Sequence, residues 1–139
     1  MEQQQIDSIE NYSKYGIDIN QVDEETIVIK QTRLVNGYIL NQKQLVEIAK
    51  DIFPNYHIKP VVYSLEVSTI TIDWIGAKMK LYGIKNNDLV KQLAIDKKSL
   101  ETILNGKTKL SNSLGALFYY YFLTYEINTE VRNQINPII

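Results

Sequence analysis

The sequence predicts an α+β protein, in which a small strand–helix–strand unit over residues 1–72 precedes an all-helical domain over residues 73–139. Two observations support this division. Up to residue 72, β-branched residues and two-residue alternation indicate short strands. From Asp73 onward, apolar residues recur at three- and four-residue spacing, which is typical of helices. We expect four to five helices in the second domain.

The composition is that of an ordinary folded protein. Apolar residues make up 45% of the 139 residues and charged residues 22%. No apolar run approaches the roughly 18 residues of a membrane span, and the start lacks the features of a signal peptide, so we expect a cytoplasmic protein without a membrane partner. The chain has no cysteine and one histidine, which argues against disulfides and multi-histidine zinc sites. No cofactor or metal is expected.

The first unit is expected to begin with a helix and a hairpin. Apolar residues at helical spacing between residues 6 and 15 predict the helix, with Gly16 as its C-terminal cap. Residues 26–35 are rich in β-branched side chains and predict a strand. Asn36 and Gly37 form the commonest two-residue hairpin turn, so residues 38–40 are predicted to return as a second strand.

A second helix and a further strand complete the expected first unit. Asn41 and Gln44 have the spacing of a capping box, and Pro54 helps to end the helix that follows. Residues 58–72 alternate with a phase shift near Ser68, which predicts a bulged strand or two short strands. Because so small a sheet is marginally stable alone, we expect it to pack on the helices or on a second copy of the chain. The expected role of this unit is to dimerise or to bind a protein partner.

The second domain is expected to start with three short helices. Asp73 and Gly83 bound the first helix, and Asp96 and Gly106 bound the third, as N-terminal and C-terminal caps. A last helix over residues 112–128 is apolar or aromatic around most of its circumference, so we expect it to be buried on several sides. Pro137 closes a polar tail.

Charge is distributed unevenly along the chain. Residues 73–111 contain eight lysines and four acidic residues, a net charge of +4, whereas the remainder carries −5. A phosphate backbone meets a local face of a protein and not its average charge. The asymmetry therefore favours contact between the helical domain and nucleic acid.

Residues 82–109 carry the most informative pattern. Each predicted helix there ends just before a small or polar residue, and the segment closes with Asn-Gly-Lys-Thr-Lys. The pattern resembles the helix-turn-helix of the lambda-repressor-like superfamily, also called the XRE family, over about residues 73–128. The resemblance is strongest at Gly83-Ile84, Leu89, Leu93 and the third helix. The fold that it implies is a lambda-repressor-like helix-turn-helix domain.

The function implied by the resemblance is sequence-specific binding of double-stranded DNA by a bacterial or phage-like transcriptional regulator, such as an autorepressor or an antitoxin. Residues 96–105 would be the recognition helix in the major groove, and a homodimer would place two such helices about 34 Å apart. Some of the implied DNA-binding residues would face base edges and the others phosphates. The full set is Lys85, Asn86, Lys97, Lys98, Ser99, Thr102, Asn105, Lys107 and Lys109.

The sequence departs from the family at two places. Val90 stands where the family usually has alanine. Met79 and Leu104 stand where many members bury an Arg–Glu ion pair. Replacing both ends of an ion pair with apolar residues can be neutral or stabilising, whereas replacing one end is costly.

Two other functions remain open at the sequence level. The short side chain of Thr102 and the acidic Glu101 are compatible with a protein-interaction module that keeps the fold without binding DNA. An enzyme needs a constellation of catalytic groups, and none stands out in the sequence, so we expect no catalytic residue. His57 alone is expected to be a surface or packing residue.

Overall fold

The computed structural model describes residues 1–135, which belong to two compact units, Met1–Ser64 and Leu65–Ile139. The described residues contain both helices and a small sheet, so the α+β class is confirmed. The units divide eight residues before the predicted boundary, because Val67 and Ile70 lie against Gly115 of the second unit. Pro137 lies outside the described residues.

The first unit is built on a three-stranded sheet. Its elements are α1 (Gln3–Ser13), β1 (Ile17–Gln21), β2 (Thr26–Gln31), α2 (Gln42–Ile52) and β3 (His57–Val61). The strand order is β1-β2-β3, with β1 antiparallel and β3 parallel to the central β2. Parallel strands need a crossover connection, which α2 supplies between β2 and β3.

The core of the first unit lies on one face of this sheet. In β2, Ile27 and Ile29 are fully buried while Lys30 is exposed, as the two-residue period of a strand requires. Leu45 and Ala49 of α2 are also fully buried in the same cluster. Half-buried Ile9 and Tyr12 of α1 pack against that cluster. Both helices therefore cover one face of the sheet and leave the other to solvent.

The capping box that begins α2 is confirmed. Asn41 Oδ1 accepts a hydrogen bond from the Gln44 backbone N–H at 2.8 Å, and Gln44 Oε1 accepts one from the Asn41 backbone N–H at 3.0 Å. Gly16, in contrast, is not the cap of α1, which falls at Lys14. Gly16 has φ +77°, and a Cβ there would lie 2.5 Å from the Arg33 carbonyl oxygen. It is needed for this close approach of two backbone segments at the start of β1.

The predicted returning strand over residues 38–40 is wrong. Asn36 and Gly37 do adopt positive φ, and the Tyr38 N–H donates to the Val35 carbonyl oxygen at 3.3 Å to close the turn. However, β2 ends at Gln31, and its two edges are already occupied by β1 and β3. Residues 38–40 therefore have no strand to pair with. The antiparallel partner of β2 is β1, where the sequence pattern did not predict a strand.

The prediction of extended structure over residues 58–72 holds only at its start. β3 ends at Val61, which is opposite Lys30, one residue before the end of β2. Beyond Val61 there is thus almost no partner strand left. Residues Val67–Thr69 form a 3-10 turn instead, with the Ile70 N–H donating to the Val67 carbonyl oxygen at 3.0 Å.

The second unit is helical. Its elements are α3 (Ile72–Tyr82), α4 (Asn86–Leu93), α5 (Lys97–Leu104), α6 (Asn112–Ile127) and α7 (Thr129–Ile135). The N-cap of α3 is Thr71, whose Oγ1 accepts from the Trp74 N–H at 3.1 Å, and not the predicted Asp73. Gly83 ends α3 with φ +67°, in the left-handed region, as its position after the last apolar residue predicts.

The core of the second unit joins α3, α4, α5 and α6. Ile75, Leu89, Leu100 and Phe118 are fully buried in one cluster. α6 buries a narrower stripe than its composition predicts: Gly115, Phe118 and Phe122 are buried, whereas Leu117 is exposed. Within residues 1–135, no helix is both long and apolar enough to cross a membrane.

Candidate nucleic-acid interface

α4 and α5 are joined by a tight turn in the second unit. Ala94 takes the left-handed conformation, with φ +54° and ψ +39°, and ends α4. Two residues later Asp96 caps α5, as predicted. The buried side chains of Leu89 and Leu100 lie in one cluster and hold the two helices together.

The first turn of α5 is organised by Asp96. Its carboxylate accepts hydrogen bonds from the Ser99 backbone N–H at 3.1 Å and from the Ser99 hydroxyl at 3.3 Å. Both groups of Ser99 are therefore engaged in the cap, and the hydroxyl is not free to donate to a phosphate in this arrangement. Lys97 and Lys98 of the same turn are exposed.

The remaining lysines of the predicted set surround this turn in sequence. Lys85 is the N-cap residue of α4, and its backbone N–H donates to Asp88 Oδ2 at 2.9 Å. Lys107 and Lys109 follow α5, and all three side chains are exposed. None of the five lysines forms a salt bridge within residues 1–135, where the ion pair present joins Lys78 to Glu126 at 2.6 Å.

The neutral residues of the predicted DNA-binding set differ from one another in exposure and in hydrogen bonding. Asn86 is exposed at the first position of α4. Thr102 is half-buried, and its hydroxyl donates to the Ser99 carbonyl oxygen at 2.9 Å, which leaves its methyl group and the acceptor lone pairs of its hydroxyl oxygen for an outside contact. Asn105 Oδ1 accepts from the Lys107 N–H at 3.1 Å and shapes the segment after α5.

A groove beside α5 was not anticipated from the sequence. It has a volume of about 670 Å³ and includes two carboxylates, Asp73 and Glu101, together with Asn86 and Asn105. The apolar side chains of Met79 and Leu104 also line it. Gly76 opens the groove on the α3 side, since a Cβ there would touch nothing within 4 Å.

A second cleft, of about 370 Å³, lies between residues of α3, α4, α6 and α7. Within it the Tyr121 hydroxyl donates to Gln92 Oε1, and the Arg132 guanidinium lies 3.5 Å from the centre of the Tyr125 ring. Desolvation raises the pKa of Tyr82 above its ordinary value, and a hydrogen bond to Glu126 adds to this. This cleft was not predictable from the sequence, because α7 is a short polar helix that the residue pattern does not separate from a polar tail.

Metal chemistry has no candidate site in the described part of the chain. No group of three His, Asp or Glu side chains is placed to hold an ion there. His57 is exposed at the start of β3.

Comparisons with protein-family models, with curated proteins and with solved structures found no match for this chain. The resemblance to the XRE family therefore remains a prediction from the residues of α3, α4 and α5.

Proposed function

We propose that this protein binds double-stranded DNA as a transcriptional regulator of the XRE type, with α5 as its recognition helix. The observation that carries the proposal is the set of five exposed lysines around α4 and α5 without a carboxylate partner among residues 1–135. They are Lys85, Lys97, Lys98, Lys107 and Lys109.

The energetics favour phosphate as the partner of these charges. Neutralising DNA phosphates with lysine releases condensed counterions, and this term supplies most non-specific affinity. A lysine ammonium that is already paired with a carboxylate would have to break that ion pair before it could bind a phosphate. The first unit has six basic and nine acidic residues and would be repelled by DNA, so we assign the contacts to the second unit alone.

Base recognition is assigned to the exposed face of α5. Lys97 and Lys98 can donate to guanine O6 and N7, and the methyl group of Thr102 suits the methyl group of thymine. Asn86 and Asn105 supply amides for phosphate or base edges. We propose that a homodimer presents two copies of α5 to a palindromic operator, with half-sites about 34 Å apart. The proposal involves no cofactor and no catalytic residue, and it places the protein in the cytoplasm.

A protein-docking role is the second candidate. It is favoured by the groove beside α5, where the carboxylates of Asp73 and Glu101 face outward next to apolar Met79 and Leu104. A mixed acidic and apolar groove suits a basic, partly apolar segment of another protein better than it suits DNA.

The test is fluorescence-anisotropy binding to a random-sequence duplex across a salt series. The variant Lys97→Ala/Lys98→Ala is compared with the wild type, and Lys43→Ala/Lys59→Ala, which removes two exposed lysines of the first unit, is the matched control. On a random-sequence duplex these two lysines meet phosphates, so we expect the slope of log affinity against log salt to shrink by about 1 to 2 in the first variant. The control should keep the wild-type slope. No binding at low salt, or equal slopes in all three proteins, would contradict DNA binding and direct attention to docking.

A further inference from the structure

The sheet of the first unit has two edges that differ in their capacity to pair. β1 and β3 are the outer strands, and neither pairs with any strand other than β2 among the described residues. A free strand edge presents unpaired backbone N–H and C=O groups, which another strand can extend.

The hydrogen bonds of β1 define which of its groups face outward. Val22 donates to the Thr26 carbonyl oxygen at 3.1 Å, and Thr32 donates to the Gly16 carbonyl oxygen at 2.8 Å. In an antiparallel pair the bonded positions alternate, so the even-numbered residues of β1 face β2. The backbone groups of Ile17, Ile19 and Gln21 consequently point away from the sheet.

The β3 edge is blocked by a proline. His57 donates to the Glu25 carbonyl oxygen at 2.7 Å, so the odd-numbered residues of β3 face β2 and the even-numbered ones face outward. Pro60 therefore occupies an outward position, where it has no N–H to donate. β1 has no proline, so its outward positions lack this block.

We propose that two copies of this chain associate through β1, paired antiparallel about Ile19, so that two three-stranded sheets become one sheet of six strands. In this register Ile19 is opposite Ile19 of the second copy, and Ile17 is opposite Gln21. All three outward-facing residues then pair, in a two-fold symmetric arrangement. The inference gives an interface to the dimer of the proposed function, and its test requires no DNA, so the two can fail separately.

The charges of β1 favour this register over pairing about residue 18. Asp18 and Asn20 are exposed on the open face of the sheet. Pairing about Ile19 places Asp18 opposite Asn20 of the second copy, where the amide can donate to the carboxylate. Pairing about residue 18 would instead place two aspartates opposite each other, which is unfavourable.

Apolar surface beside the edge adds to the backbone pairing, which alone would be weak. A groove of about 250 Å³ contains Tyr15, Ile17 and Tyr38, and its walls are almost entirely apolar. Tyr15 is 56% exposed and Tyr38 72%. The proposed register places the exposed Val22 of one copy opposite Gly16 of the other, next to Tyr15.

Cysteine cross-linking tests both the interface and its register, since the chain has no cysteine of its own. Residues 18 and 20 would form a non-hydrogen-bonded pair with Cα atoms about 4.5 Å apart, which suits a disulfide. Identical residues 18 and 18 would be about 8 Å apart, too far for one. We therefore expect Asp18→Cys mixed with Asn20→Cys to give a covalent dimer with oxidised glutathione, and either variant alone to give little. Lys59→Cys mixed with Val61→Cys, on the β3 edge, is the matched control and should give none.

Sedimentation equilibrium supplies the second measurement. Gln21→Pro removes an outward donor that β2 does not use, so the fold should persist while the dimer dissociation constant rises about tenfold or more. Wild-type protein that stays monomeric at about 100 µM would overturn the proposal. A dimer that neither cross-links in the mixture nor weakens with Gln21→Pro, or that cross-links equally in the single variants, would also overturn it.

Discussion

The side-chain oxygen of Gln31 accepts a hydrogen bond from the backbone N–H of Leu40 at 3.0 Å, while its amide nitrogen donates to the Tyr38 carbonyl oxygen at 2.7 Å. Gln31 is 2% exposed and is the last residue of β2. One side chain thus satisfies the backbone of a segment that has no strand to pair with. It also fixes the turn at Asn36 and Gly37 against the sheet.

Replacing Gln31 with leucine should destabilise the first unit by about 2 to 4 kcal/mol, because it leaves a part-buried N–H and a part-buried C=O without partners. Urea unfolding followed by circular dichroism measures the change. Gln4→Leu, at an exposed position of α1, is the control and should change the free energy of unfolding by less than about 0.5 kcal/mol. A Gln31→Leu variant as stable as the wild type would show that water replaces these hydrogen bonds.

The parts of the fold that depend on neighbours in sequence were predictable. The capping box of Asn41 and Gln44 and the cap at Asp96 each lie within three residues, and both are present. The positive φ values at Asn36, Gly37 and Gly83 were predictable for the same reason. Local side-chain chemistry decides these features whatever the rest of the chain does.

The strand pairings were not predictable, because they depend on distant residues. β1 has two buried residues, Ile17 and Ile19, too few for a distinct alternation. Residues 38–40 have good strand composition, but the edges of β2 are taken by β1 and β3. A strand exists only where a partner edge is free, and sequence patterns do not report that.

The sequence positions of the candidate interface residues were predictable, whereas their ion pairs and hydrogen bonds were not. The sequence indicates which lysines border α4 and α5. Only the side-chain positions reveal that these lysines form no salt bridge within residues 1–135. The side-chain positions also show that the hydroxyls of Ser99 and Thr102 donate hydrogen bonds to α5 and its N-cap. The acidic groove depends on where Asp73 and Glu101 meet, twenty-eight positions apart in sequence.

The turn between α4 and α5 is expected to be strained at Ala94. A residue with a Cβ costs about 1 to 2 kcal/mol in the left-handed region, and glycine avoids this while losing more backbone entropy on folding. Ala94→Gly should therefore leave the second unit as stable or stabilise it by up to about 1 kcal/mol. Ala94→Val, which is β-branched, should destabilise it relative to alanine. Thermal unfolding of the three proteins measures the order, and a glycine variant less stable than the valine variant would refute it.

Alkaline pH should destabilise the second unit through Tyr82. Desolvation raises the pKa of this phenol above 10.0, so the folded state holds the proton more tightly than the unfolded state does. The resulting stabilisation is present below pH 10 and is lost as the pH rises through the raised pKa. We expect Tyr82→Phe to reduce the loss of stability above pH 10 in urea unfolding. Tyr38→Phe, at an exposed ring, is the control, and equal pH dependence in both variants would be evidence against this origin.

The most direct test of the central claim is a chemical-shift map of the isotopically labelled full chain titrated with a duplex at low salt. DNA binding through α5 predicts that the largest amide shifts fall at Lys97 and Lys98, at the start of α4 and over residues 105–109. Residues 1–64 should change little. Shifts confined to the first unit or to α6 and α7, or no shifts at all, would contradict α5 as the recognition helix.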